Sequence, residues 1–169
     1  MKQQIAKNQR GNALIETAMF VPLLILLLVG IAELGKATYI YFSIHKTLYG
    51  LARFIGTRQG INLCDASDPE VLSAKNWAVT GSSDGDVSII SGLTADMIQV
   101  RVERRAESSD FPGECECSLT GCDAAAGGRP PDFVVVGIPD GFPVRVRIPY
   151  LATQTVLFRP SVRMPFGGT

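Results

Sequence analysis

Glu16 is the only charged residue in the stretch 13–32, which is otherwise built mainly of Leu, Ile, Val and Ala. A carboxylate in such a stretch costs about 2.5–3.5 kcal/mol at the centre of a bilayer and less near an interface. Two chemistries answer that cost: a docking charge that meets a cation, or a side chain that reaches back to headgroups and water. The other reactive residues are few. Cys64, Cys115, Cys117 and Cys122 can make two disulfides in any of three pairings, or offer four thiolates to zinc. The C-x-C-x4-C spacing departs from the paired C-x2-C of zinc sites, and beyond a membrane span cysteines are oxidised, so disulfides and no metal are expected. Cys115 and Cys117 stand too close for an easy mutual bridge. Each is expected to pair with Cys64 or Cys122, one bridge stapling the Gly- and Pro-rich stretch 111–132 and the other tying it to the end of the first helix.

Catalysis finds little support. His45 is the single histidine, and none of G-x-S-x-G, H-E-x-x-H, G-K-[ST] or G-x-G-x-x-G occurs, so no enzyme and no cofactor are expected. Sixteen basic and sixteen acidic residues cancel, and nothing global suggests a nucleic-acid binder. Arg145, Arg147, Arg159 and Arg163 lie in a stretch from Gly141 onward that has no acid. They suit a solvent face, cross-strand pairing with Glu103, or an acidic neighbouring subunit. Without interleaved aromatic residues they do not suit DNA.

These residues depend on the elements that carry them. The apolar run can be a membrane span, a secretory signal or a core helix. The twenty residues 13–32 cover a hydrocarbon layer of about 30 Å at 1.5 Å per residue, which favours the span. Gly30-Ile31-Ala32 would serve as a signal cleavage site, but a signal gives no reason for Glu16. Cleavage after Gly11 does give one. It would leave Asn12 with a free amine of ordinary pKa about 7.7–8.0, and in a helical stack that cation could sit beside the Glu16 of a neighbouring chain. Leu23, Leu24, Leu27 and Ile31 would pack the stack. Pro22 removes the hydrogen bond to the Ala18 carbonyl and favours a kink or local melting.

The helical pattern continues past the run. Tyr41, Ile44, Leu48, Leu51 and Ile55 form one apolar stripe with Lys46, Arg53 and Arg58 off it, so one helix of roughly 65 Å over 13–57 is predicted. Asp68-Pro69-Glu70 starts a second helix to about Val79. Strands are predicted at 87–91, 97–104, 133–138 and 144–148, with 133–138 central and Gly92 in the turn between the first two. The fold class is α+β: a long amino-terminal helix packed on about four antiparallel strands.

The basic leader with Lys2, Lys7 and Arg10, then Gly11, Glu16 at the fifth position after it, and the apolar helix together resemble the class III signal of type IV pilins and pseudopilins. More narrowly, Gly11, Glu16, Pro22, Glu33-Leu34-Gly35 and Leu51-Ala52-Arg53 resemble TadE-like minor pilins of the tight-adherence (Flp) pilus system. The resemblance covers roughly the first third, with "FPVRVRIPYL" similar to the family's late strand. It implies a leader 1–11, a helix 12–57 with transmembrane part 13–33, and an extracytoplasmic domain 58–169 with a pilin-like fold. It also implies processing at Gly11 and Asn12 by a prepilin peptidase, insertion in the bacterial inner membrane, and other pilin subunits and the Tad assembly platform as partners. The alternative is an uncleaved single-span anchor for an extracytoplasmic binding module.

Overall fold

The computed structural model describes residues 5–58, 61–105, 112–115, 117, 122, 127–147 and 154–167. Helix α1 runs from Ile5 to Thr57 and contains Pro22. It begins eight residues before the expected Ala13, because Ala, Lys, Gln and Arg favour helix and Gly11 alone costs about 1 kcal/mol, too little to stop it. No boundary in secondary structure therefore marks Gly11. Helix α1 also passes Pro22 unbroken, so the expected local melting does not occur; helices surrounded by apolar sequence tolerate a proline.

The chain divides into two compact units, Met1–Tyr39 with Val144–Val156, and Ile40–Pro143 with Leu157–Thr169. In the second unit the later part of α1 packs on a small antiparallel sheet. Ile44, Leu48, Leu51 and Ile55 are fully buried, while Lys46, Arg53 and Arg58 are exposed, as a 4,3,4 spacing requires. Tyr41 lies at the solvent end of the stripe, edge-on to Phe158 with ring centroids 5.6 Å apart.

The sheet has the order β2-β1-β3-β6, from β1 (Gln99–Arg105), β2 (Pro112–Glu114), β3 (Phe133–Gly137) and β6 (Ser161–Pro165). β3 is an inner strand, as its continuous apolar run suggests. Val100 and Val102 of β1 stand opposite Val136 and Val134 of β3, which stand opposite Val162 and Met164 of β6. This valine-rich face supplies the buried Val102, Val134, Val136 and Val162. On the opposite face Arg163 lies over the Phe133 ring at 4.2 Å and reaches Glu103 at 3.0 Å, so the expected pairing of a late arginine with Glu103 spans three strands.

The main sheet has the four strands expected, but not the expected members, and a second sheet brings the strands to six among the described residues. Residues 87–91 form no strand: β1 already has β2 on one side and β3 on the other. The segment instead returns along α2, with the Ile89 N–H donating to the Val79 carbonyl at 2.9 Å and the Val87 and Ile89 side chains exposed. The stretch expected at 144–148 becomes β4 (Phe142–Val146), which pairs with β5 (Gln154–Phe158) in a separate two-stranded sheet. Ile148 lies outside the described residues. The strand beside β3 on its other side is β6, whose flanking Pro160 and terminal Pro165 suit an edge strand.

Helix α2 (Pro69–Thr80) starts as its sequence dictates. Asp68 accepts from the backbone N–H of Glu70 at 2.8 Å and Val71 at 3.2 Å, and Pro69 opens the first turn. Gly81 ends it at φ +82°, its N–H donating to the Trp77 carbonyl at 2.7 Å, a left-handed cap that glycine adopts without a Cβ penalty.

The four cysteines form Cys64–Cys117 and Cys115–Cys122. The first ties the segment after α1 to the cysteine-rich stretch, and the second closes a loop within that stretch.

Candidate functional site

The exposed half of α1 is the feature that ordinary folding does not explain. Met19, Leu23, Leu24, Leu27, Leu28 and Ile31 are each more than half exposed, and none of the most apolar window of the helix is buried within the protein. Fully burying such a side chain is worth about 1.5–3 kcal/mol, so a surface of this extent demands a cover outside the chain. The helix is long and apolar enough to cross a membrane.

Leu23, Leu24, Leu27 and Ile31 lie together on this surface, with Pro22 in the same run. Glu16 is exposed one turn and a half before Pro22, on a helix spacing that sets it one turn beyond Asn12. In the uncut chain Asn12 is an internal residue of α1, with an amide rather than an ammonium at its backbone nitrogen. Of the side chains of residues 5–12 nothing is described, and Gly11 is likewise known only as a helical backbone position. The neighbouring Thr17 hydroxyl donates to the Ala13 carbonyl at 2.7 Å, and Thr38 to Leu34 at 2.8 Å. Both hydroxyls are thus satisfied inside the helix and impose no polar cost on an apolar surrounding, which leaves Glu16 as the charge requiring an answer.

At the other end of the apolar run the fold adds a contact that sequence reading did not find. The Glu33 carboxylate accepts from the Arg147 backbone N–H at 3.3 Å, across 114 residues of chain. Ala37, one turn after Glu33, is buried. Glu33 belongs to the Glu-Leu-Gly motif, but no signal in the sequence pairs it with the end of β4.

His45 is half-buried on α1 with its ring 6.2 Å from that of Tyr41. An open groove between the end of α1 and α2 is lined by Phe54, Arg58, Glu70 and Trp77, where Arg58 stacks on Phe54 at 4.8 Å and meets Glu70 at 3.9 Å. The four cysteine sulfurs are used in disulfides, and among the described residues no group of three or more His, Cys, Asp or Glu is placed to share a metal ion. No protein-family model, curated protein or solved structure matches the chain.

Proposed function

We propose that this protein is a minor pilin or pseudopilin of a Tad/Flp-type pilus, made with a short leader that a prepilin peptidase removes after Gly11. The observation that carries this reading is the division of one helix into a bare apolar half, charged only at Glu16 across residues 13–32, and an amphipathic half that buries Ile44, Leu48, Leu51 and Ile55 against a sheet. Before assembly the apolar half spans the inner membrane and the disulfide-bonded domain faces outward. On assembly the same half exchanges lipid for the helices of neighbouring subunits, an exchange in which van der Waals packing rather than water exclusion sets the preference. The new ammonium on Asn12 of one chain then meets the Glu16 carboxylate of another and offsets the cost of carrying that charge in a low-dielectric bundle. Its role is non-enzymatic, in initiating or building the fibre and so in surface adherence.

The test is the intact mass and amino-terminal sequence of the protein from its native host, beside a Gly11→Ala variant. A chain beginning at Asn12, and lost in the variant, is the expected result. A chain retaining Lys2 in both forms would replace this reading with an anchored binding module, and one beginning near Glu33 would make the apolar run a secretory signal.

A further inference from the structure

Arg145 near the end of β4 and Arg147 just after it are exposed residues two apart and therefore share one face, while Val144 on the other face is buried. Neither guanidinium meets a carboxylate among the described residues, in contrast to Arg163, which is paired with Glu103. What distinguishes these two arginines is their level along α1. The bond from the Arg147 N–H to the Glu33 carboxylate sets this end of β4 beside the first residue after the uncharged run. The headgroup layer on each side of a bilayer is about 5–7 Å deep, or roughly four to five residues of helix. Counted from Ala32, that layer holds Glu33 and Lys36.

We propose that Lys36, Arg145 and Arg147 form a docking surface for the phosphates of anionic phospholipids in the outward leaflet. The proposal rests on the reading of residues 13–32 as a membrane span. Three cations stand against one carboxylate at this level, and Glu33 directs its carboxylate at the backbone of β4. Guanidinium groups match phosphate oxygens in charge and in paired geometry. The surface is continuous with the span, so the bilayer that covers the apolar helix is also the nearest anionic surface to these residues. Lipid held here would keep the end of β4 against the membrane while the subunit waits for assembly, and the contact would be given up when the helix leaves the bilayer.

The test uses the full-length chain in nanodiscs of phosphatidylcholine alone and of phosphatidylcholine with phosphatidylglycerol in equal parts, read by hydrogen exchange. Phosphatidylglycerol should slow exchange of the backbone around Arg145 and Arg147 by about five- to thirtyfold, the effect of one to two basic groups at an anionic surface. The difference should vanish in an Arg145→Gln/Arg147→Gln double variant and shrink at high salt, with exchange around Leu48 unchanged as the control for folding. Equal exchange in the two bilayers overturns the proposal and makes an acidic protein surface the partner of these arginines. A phosphatidylglycerol effect that persists in the double variant overturns it as well. Residues 13–32 report separately in the same data: protection there with an unresponsive β4 defeats only the lipid surface, whereas no protection there removes the membrane span and this proposal with it.

Discussion

At the scale of single residues, Glu16 and Asp65 show how differently a carboxylate can be held. Asp65 accepts from the Ser67 hydroxyl at 2.6 Å and from the Ser67 backbone N–H at 2.8 Å. Those two bonds favour the charged form and hold the Asp65 carboxyl below its ordinary value of 3.8. Because its folded-state pKa is depressed, whatever this turn adds to stability is present above the ordinary value and is lost as pH falls through the depressed one. Replacing Ser67 with Ala should raise the Asp65 pKa toward its ordinary value, as followed by the carboxyl carbon shift in an NMR titration. Among the described residues Glu16 has no such donors, and its proposed partner belongs to another subunit. Glu16→Gln should therefore leave membrane insertion and cleavage after Gly11 intact while abolishing recovery of the protein with sheared pili. Wild-type recovery of the variant would remove the docking role from this carboxylate.

At the scale of elements, α1 holds two environments in one continuous helix. Leu48 is fully buried and Leu24 is more than half exposed, although both are leucines in a helix. Leu48→Ala should cost the folded domain about 2–5 kcal/mol, the range for emptying a packed leucine site. Leu24→Ala should change domain stability by no more than about 0.5 kcal/mol, as surface substitutions do, and act only on assembly. Denaturant unfolding of the detergent-solubilised chain checks both. The short two-stranded sheet has its own local requirement. Gly141 enters β4 at φ +84°, where a Cβ would also come within 3.0 Å of the Leu157 Cβ, so the turn between the main sheet and this one accepts only glycine without strain.

At the scale of the whole molecule, the two disulfides compensate for a domain with a modest core. Cys64–Cys117 spans 53 residues and Cys115–Cys122 spans 7. On the loop-entropy account these restrict the unfolded chain by about 4 and about 2.5 kcal/mol respectively. Replacing Cys64 and Cys117 with Ser should thus lower the melting temperature more than replacing Cys115 and Cys122, and both losses should be reproduced by a reductant. Calorimetry on the two double variants decides the order; a larger loss from the short loop would mean that packing around Cys122, which is buried, outweighs chain entropy.

Residue type and spacing alone determined the long helix, its apolar and amphipathic halves, the Asp68 cap and the inner position of residues 133–137, because local propensity and a single periodicity govern each of them. Residue spacing likewise limited each close cysteine to Cys64 or Cys122, and the fold chose Cys64 for Cys117. Strand partnership was decided only in three dimensions. Residues 87–91 and 161–165 both carry short apolar patterns, and competition for the free side of β3 and the two sides of β1 selected β6 and β2, an outcome that no local pattern encodes. The bond between Glu33 and Arg147 is likewise tertiary: 114 residues separate its partners, and their meeting follows from where the fold carries β4 rather than from any signal at either residue.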